Sequence, residues 1–294
     1  MLFRRRSSEP DRRVVAFTVH KAGSMVLHRV LRDICEHNAI EYHSENGPSP
    51  KFPPRKIFAG ADYIAKHTGC FGPIRFFVPS RALGDARILL HLRDPRDVLT
   101  SMFFSYCFMH RGPVPGNSGY RKEVAERGID HFVLDMSSEA AARYEGDYGT
   151  GRPYLEHIGN MAARYNRYLR EVIGRPNALV ISYEEMVLDF PSWLRRVVSR
   201  FELADAEATY RIVSERYAES VKPQSEDIFS HKRKVVPGDY REKLQPATIA
   251  ELNRRFSDVL DALGYSAAEY EARGIPVGRA TAVAPSSNQE RTGG

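Results

Sequence analysis

The chain has 294 residues, of which 42% are hydrophobic and 27% are charged. This balance is typical of a globular protein and excludes a disordered or fibrous chain. The net charge of +6 lies mostly at the two ends, where residues 1–13 and 273–294 carry more arginines than acids. Because the stretch between them is nearly neutral, the composition does not favour nucleic-acid binding.

One globular domain is predicted over residues 14–272, because no linker rich in proline, glycine or serine divides them. Residues 1–13 form a basic tail and residues 273–294 a polar tail, and both are predicted to be disordered. No apolar stretch reaches the ~20 residues that a membrane span needs. The three cysteines form no CxxC pair, and no apolar segment follows the basic N-terminus. We therefore expect free thiols and a cytoplasmic location.

The first half of the chain predicts strands separated by a helix. The apolar run Val14 to Val19 predicts a strand buried on both faces, and Ser24 to His37 predicts an amphipathic helix. Further strands are predicted at Ile40 to His43, within Ile57 to Lys66, and at Arg87 to Leu92.

Helices dominate the second half. Asp94 followed by Pro95 is a strong helix start, and this helix is expected to reach about His110. Because strands alternate with helices, the pattern favours an α/β fold with a mostly parallel sheet. The remaining predicted elements are helices at Ile129 to Met136, His157 to Gly174, Pro191 to Phe201 and Ile249 to Leu263, and a strand at Ala178 to Ser182.

The first candidate site is the stretch His20 to Met25, between a buried strand and a helix. Gly23 permits a close approach of the backbone to a ligand, and the free N–H groups at a helix start attract an anion. Lys21 adds a positive charge. The pattern is equally compatible with an ordinary turn, and it lacks the glycine before the lysine that ATP-binding P-loops have.

The second candidate site is Arg93, at the end of a predicted strand, together with Ser101. Ser101 lies one helical turn beyond Asp97 and can therefore face the same crevice as Arg93. An arginine fork and a hydroxyl suit one phosphate group. Alternatively, Arg93 pairs with a carboxylate and Ser101 is a packing residue.

The third candidate is the stretch Arg233 to Tyr240, in which two cations precede a Pro-Gly turn. Such a loop can close over an anion, although a charge run is also typical of a solvated loop.

In this order, the three stretches resemble the sulfotransferases that use 3′-phosphoadenosine 5′-phosphosulfate (PAPS). His20 to Met25 is similar to the family's Pro-Lys-Ser/Ala-Gly-Ser/Thr segment, with His20 in place of proline. Arg93 to Val98 with Ser101 matches the segment that holds the 3′-phosphate. Arg233 to Tyr240 is similar to Arg-Lys-Gly-x-x-Gly-Asp-Trp, and Ser182 to Met186 to the family's Tyr-Glu-Asp segment.

The resemblance implies a P-loop-like three-layer α/β sandwich that moves a sulfuryl group from PAPS to an acceptor hydroxyl or amine. Lys21 would neutralise the negative charge that develops on the bridging oxygen of the leaving group. No metal is expected. The family's adenine-stacking aromatic is replaced here by Val26, and Tyr217 is a candidate ring. The resemblance assigns these residues to the donor: Lys21, Ala22, Gly23, Ser24, Met25, Val26, Arg93, Ser101, Tyr183, Tyr217, Arg233 and Lys234.

Two residues are candidates for the general base. His67, in the stretch Tyr63 to Thr68, resembles the histidine of cytosolic members, and an imidazole suits base catalysis at neutral pH. Glu45 follows the second predicted strand, where membrane-associated members have a glutamate. His67 is the preferred prediction and Glu45 the alternative.

Two other functions remain open at this point. One is a P-loop-like ATP-dependent kinase of small molecules, and the other is a nucleotide-binding protein without a base. The expected partner is a small-molecule or glycan acceptor, and the sequence names neither the acceptor nor an oligomeric state.

Overall fold

The computed structural model describes residues 13–44, 62–105, 108, 118–138, 161–222 and 235–265. Its five strands are β1 Val14–Thr18, β2 Tyr42–His43, β3 Cys70–Ile74, β4 Arg87–Leu92 and β5 Ala178–Ser182. They form one sheet in the order β2-β3-β1-β4-β5, and every neighbouring pair is parallel.

Helices cover both faces of this sheet. They are α1 Ser24–His37, α2 Asp62–Lys66, α3 Pro95–Phe104, α4 Ser118–Met136, α5 Met161–Glu171, α6 Tyr183–Leu188, α7 Phe190–Val198, α8 Ala206–Tyr217, α9 Tyr240–Lys243, α10 Pro246–Arg255 and α11 Ser257–Leu263.

The alternation of side chains along β1 builds two apolar layers. Val15 and Phe17 point to the face that carries α3, α4, α5, α10 and α11. Val14 and Ala16 point to the face that carries α1, α6, α7 and α8. Successive residues of a strand face opposite sides, so a strand between two helical layers is apolar throughout. The predicted three-layer α/β sandwich with a parallel sheet is confirmed.

The prediction was wrong in one part of the sheet. The strand expected within Ile57 to Lys66 is absent from its described part, where Asp62–Lys66 forms α2. The strand β3 lies further on, at Cys70–Ile74, and its glycine and proline conceal it in the sequence. Pairing with β1 and β2 on its two sides makes this segment a strand despite its weak propensity.

Three further helices were missed. α6, α8 and α9 lie where no helix was predicted, because α6 and α9 are short and α8 has a weak apolar stripe. The predicted strand at Ile40 to His43 is confirmed in part, since β2 covers only Tyr42–His43. The two predicted tails lie outside the described residues.

The connections place a crevice between β1 and β4. The chain leaves β1 toward β2 on one side of the sheet, and leaves β4 toward β5 on the other. Ligands of parallel α/β sheets bind at the carboxyl ends of the strands where such a reversal occurs. The stretches after β1 and β4 are the first two candidate sites, so the topology brings them together. None of the described helices has the length and apolar character that crossing a membrane requires.

Candidate active site

The loop between β1 and α1 is shaped to surround an anion. Lys21 and Gly23 adopt left-handed φ angles of 62° and 74°. Such an angle is uncommon for lysine and marks backbone strain of the kind found at functional sites. No side chain caps the start of α1, so its first N–H groups keep the capacity to bind an anion.

Gly23 is required by space as well as by conformation. A Cβ atom at this position would lie 2.8 Å from the terminal methyl of Met186 and 3.1 Å from the ring of Tyr183. Both residues belong to α6, which follows β5 directly. The Met186 methyl ends a flexible side chain and can move, so the left-handed φ of 74° and the Tyr183 ring are the stronger reasons why glycine is favoured here.

Arg93 is a buried cation at the end of β4, with 6% of its surface exposed. Its Nη1 donates to the carbonyl of Lys21 at 3.1 Å, and its Nη2 donates to Asp97 at 3.3 Å. The guanidinium carbon lies 4.2 Å from the ring centre of Tyr183. Burial opposes the charge, but Asp97 and the surrounding acidic groups outweigh it and raise the pKa of Arg93. Its Nε is buried without a hydrogen-bond partner among the described residues.

A second buried pair lies beside Arg93. Asp94 caps α3 by accepting from the N–H of Arg96 at 2.8 Å, and it also accepts from the guanidinium of Arg96 at 2.6 Å. Glu184 accepts from the N–H of Asp94 at 3.1 Å and from the hydroxyl of Tyr265 at 2.8 Å. Burial raises the pKa of Glu184 to about 7. These contacts fix the turn after β4 from which Arg93 extends.

The third candidate stretch reaches the same place through its backbone. Asp97 is fully buried and accepts from the N–H of Gly238 at 2.7 Å and of Tyr240 at 3.0 Å. Arg233 and Lys234 lie outside the described residues. Val235, which stands where the family has glycine, has a left-handed φ of 50°, a strained conformation for a β-branched residue.

Arg75, which the sequence analysis did not select, is part of the site. It directly follows β3, and its Nε and Nη2 lie 3.2 and 3.1 Å from Ser24 Oγ at the start of α1. Arg164 of α5 donates to Nδ1 of His20 at 3.2 Å and lies 3.5 Å from the carbonyl of Arg75. Arg75 could have been selected from the sequence because it directly follows a strand, but that strand, β3, was not predicted.

His67 lies at the end of the sheet opposite the crevice, where the strands begin. The prediction that it is the general base is therefore corrected. Its carbonyl accepts from Arg13, which precedes β1, and its Nδ1 lies 2.9 Å from the carbonyl of Tyr63. His67 precedes β3, and β1 and β3 run parallel, so it lies where both strands begin. The five residues of β1 separate the two edges by about 13 Å. The structure therefore does not bring His67 together with the loop after β1.

Glu45, the alternative base, follows a strand that runs toward the correct edge. Ser44 comes after β2, and its Oγ lies 3.0 Å from Nδ1 of His28. His28 is about one turn of α1 beyond Ser24. Burial lowers the pKa of His28 to about 4, so this imidazole is neutral at physiological pH. Glu45 itself lies outside the described residues and directly follows Ser44 in the sequence.

The structure places the remaining predicted residues around these elements. Ser101 lies on α3 one turn beyond Asp97, as the spacing predicted. Val26 and Tyr217 pack in one apolar cluster beside α1. The Tyr217 hydroxyl donates to Asp33 at 2.6 Å, which fixes the ring along this helix. Ala22 and Met25 complete the loop, the first buried and the second 48% exposed. In the part of the chain that is described, no group of His, Cys, Asp or Glu is arranged to hold a metal.

Comparison with known proteins decides the family. The sulfotransferase domain family matches residues 72–264, well over half of the chain. The chain belongs to the sulfotransferase domain family. The match begins in β3, so it includes Arg93 and the third stretch but not the Lys21 loop. A search of curated proteins finds no match.

One solved sulfotransferase structure shares the fold, and two further structures are similar to a lesser degree. Mouse sulfotransferase SULT7A1, complexed with PAP, has 15% identity and a TM-score of 0.54, with 92% of this chain and 90% of that chain covered. Retinol dehydratase with androsterone and PAP has 14% identity and a TM-score of 0.46, covering 86% of this chain and 82% of its own. The complex with retinol and PAP has 15% identity and a TM-score of 0.44, with the same coverage.

The strain at Val235 predicts an unusual order of stability. Val235→Gly and Val235→Ala both remove the two Cγ methyls of a side chain that packs against the apolar layer containing α1, α6, α7 and α8, but only glycine relieves the left-handed φ. We expect the glycine variant of this sulfotransferase to be more stable than the alanine variant by about 1 kcal/mol. Urea unfolding of both variants measures the difference. Equal stability, or a more stable alanine variant, would show that the position carries no strain.

The buried Glu184 predicts a pH-dependent stability. Its pKa is near 7 in the folded state, against 4.5 for an unperturbed glutamate, so the folded chain binds more protons between these values. Its contribution to the free energy of unfolding therefore falls as pH rises from 4.5 to 7. Glu184→Gln removes this titration. Relative to the variant, the wild type should lose on the order of 1–3 kcal/mol across this window.

Thermal and urea unfolding at several pH values test this expectation. Glu185→Gln is the matched control, because it removes the neighbouring carboxylate, which is only partly buried and pairs with Arg196. Parallel pH profiles for the wild type and Glu184→Gln would contradict the assignment.

Proposed function

We propose that this sulfotransferase transfers a sulfuryl group from PAPS to an acceptor hydroxyl or amine at the crevice between β1 and β4. The observation that carries the proposal is the 3.1 Å hydrogen bond from Arg93 to the carbonyl of Lys21. It joins a helix N-terminus to a buried guanidinium whose Nε has no partner among the described residues. Two adjacent anion-binding elements suit a nucleotide with two separate phosphate positions.

The loop after β1 would hold the 5′ end of the donor. The N–H groups of Gly23, Ser24 and Met25 and the hydroxyl of Ser24 would bind the 5′-phosphate, while the N–H of Val26 already donates to the carbonyl of Gly23 at 2.9 Å. Lys21 would neutralise the bridging oxygen on which negative charge develops. Arg75 supports the same end of the donor, because its guanidinium already lies against Ser24 Oγ and adds a second fixed cation.

The 3′-phosphate would lie against Arg93 and Ser101, with Arg233 and Lys234 closing the site from the third stretch. Tyr183 stacks on the Arg93 guanidinium and would border the adenosine. Val26 and Tyr217, in the apolar cluster beside α1, would contact the adenine. No metal is required, since fixed cations and backbone N–H groups supply the electrostatic stabilisation.

Glu45 is the general base in this proposal. It would take the proton of the acceptor, whose oxygen or nitrogen attacks sulfur while the bond from sulfur to the bridging oxygen breaks. The electron pair of that bond leaves with the 5′-phosphate of 3′-phosphoadenosine 5′-phosphate (PAP), beside Lys21. Glu45 directly follows β2 in the sequence, and β2 runs toward the end of the sheet where the crevice lies, which supports this role. His67 precedes β3 and therefore lies at the other end of the strands.

The acceptor is proposed to be a small molecule or a glycan. Retinol dehydratase, a less similar structure, was crystallised with the small molecules androsterone and retinol. Turnover of PAPS against a panel of hydroxyl and amine acceptors identifies the class. Tight binding of PAP without turnover of any acceptor would instead favour a non-catalytic nucleotide-binding protein.

The two phosphate positions predict a preference for PAP over AMP. Charge-assisted hydrogen bonds contribute ~1.5–3 kcal/mol each, so the 3′-phosphate should improve affinity at least tenfold by calorimetry. Arg93→Lys keeps the charge but loses the fork and should reduce the preference. Arg167→Ala on α5, at a half-exposed arginine paired with Glu171, is the control and should change neither affinity. Equal affinities of the wild type for PAP and AMP would exclude the 3′-phosphate site.

The base assignment predicts opposite outcomes for two variants. Glu45→Gln should lower turnover by roughly 10²–10⁴-fold, the usual contribution of a general base, while PAP affinity stays near that of the wild type. His67→Ala should keep most of the activity, because this imidazole lies at the far edge of the sheet. An active Glu45→Gln together with a folded but inactive His67→Ala would reverse the assignment.

A further inference from the structure

We propose that Met25 is an oxidation site, at which conversion of the thioether to a sulfoxide lowers the affinity of the loop after β1 for the donor. The inference rests on the proposed function, in which the N–H of Met25 and the hydroxyl of Ser24 bind the 5′-phosphate. Met25 directly follows Ser24 at the start of α1. A chemical change at its sulfur therefore takes place inside the proposed donor site.

The exposure of Met25 separates it from the other methionines that the structure describes. Met25 has 48% of its surface exposed. A peroxide molecule has to reach the sulfur before it can react, so the exposed thioether should be oxidised first. The other described methionines are at most 5% exposed, and they are Met102, Met136, Met161 and Met186.

The sulfur of Met25 lies beside a cation of the proposed donor site. Arg75 Nη2 is 3.1 Å from Ser24 Oγ and 3.7 Å from Met25 Sδ, so one nitrogen faces both side chains. Arg75 Nε lies 3.2 Å from the same hydroxyl. Because a thioether sulfur is only a weak acceptor, the guanidinium is held mainly by Ser24. The direction of Arg75 therefore depends on which of these two neighbours accepts more strongly.

Oxidation would make the side chain of Met25 the stronger acceptor. A lone pair of the sulfur attacks one oxygen of hydrogen peroxide, the O–O bond breaks, and the second oxygen leaves as water. The sulfur is oxidised and the peroxide is reduced, so the reaction needs no other reactant. The sulfoxide is polar where the thioether was apolar. The three rotatable bonds of the side chain let the new oxygen turn toward Arg75 Nη2.

A sulfoxide oxygen at this place would weaken donor binding in two ways. A hydrogen bond from a guanidinium to an oxygen is charge-assisted and strong, so the sulfoxide would draw Arg75 Nη2 away from Ser24 Oγ. The cation would then stabilise the 5′ end of the donor less. The sulfoxide oxygen also carries partial negative charge, and it would lie beside the N–H groups that bind the 5′-phosphate.

The test treats the full chain with hydrogen peroxide and measures PAP affinity by calorimetry before and after the treatment. Peptide mass spectrometry gives the fraction of sulfoxide at each methionine. We expect Met25 to be oxidised before the four buried methionines. PAP affinity should fall about fivefold or more, because a hydrogen bond from a charged group changes its acceptor. Methionine sulfoxide reductases for both epimers should restore the affinity.

Two leucine variants assign the effect to one sulfur. Met25→Leu cannot be oxidised at this position, so its PAP affinity should be the same before and after peroxide. Met136→Leu on α4 is the matched control, because it removes a methionine that is 5% exposed and keeps Met25. It should lose affinity as the wild type does. A loss that persists in Met25→Leu would overturn the inference, as would oxidation of Met25 with no change in PAP affinity.

A third variant tests the role of the oxygen without an oxidant. Met25→Gln places an amide oxygen where it can accept from Arg75, and it should bind PAP less tightly than Met25→Leu. Equal affinities of these two variants would contradict the competition for Arg75 and overturn the inference, while the proposed function stands. If the untreated wild type does not bind PAP, both the proposed function and the inference fail.

Discussion

The buried guanidinium of Arg93 is the constraint on which the rest of the site depends. A cation with 6% of its surface exposed is tolerated only if fixed partners replace the water it has lost. Asp97 supplies the opposite charge, the carbonyl of Lys21 accepts one donor, and the ring of Tyr183 covers a face. These partners come from the loop after β1 and from the helices α3 and α6, so satisfying one charge assembles the site.

A surplus of buried acid accompanies this cation. Arg93 and Arg96 are surrounded by Asp94, Asp97 and Glu184, all of them buried. Burial is the main cause of the raised pKa of Glu184, and the neighbouring Asp94 carboxylate adds to it. An excess of acid beside an anion site would weaken phosphate binding. In the proposed function, Arg233 and Lys234 would provide the compensating charge.

The direction of the strands explains which predicted residues belong together. In a parallel sheet every loop that follows a strand lies at one edge, and every loop that precedes a strand lies at the other. Lys21, Arg75 and Arg93 follow strands and meet at the crevice. His67 precedes a strand and lies with Arg13 at the far edge. The sequence around His67 resembles that around a catalytic histidine, but this local similarity does not show at which end of the strands His67 lies.

The sequence by itself determined the alternation of strands and helices, the glycine-containing loop after β1, and the placing of Arg93, Asp97 and Ser101 at one end of a strand and the helix after it. These features depend on local physics: apolar runs, capping residues and the spacing of a helical turn. Tertiary structure alone decided that Cys70–Ile74 is a strand, that Arg75 reaches Ser24 and that Asp97 binds the backbone of Gly238. Each of these depends on partners far away in the chain, and the strand depends on burial between two neighbours that outweighs the weak propensity of glycine and proline. The edge of the sheet to which His67 belongs was likewise fixed by strand pairing, which no local pattern records.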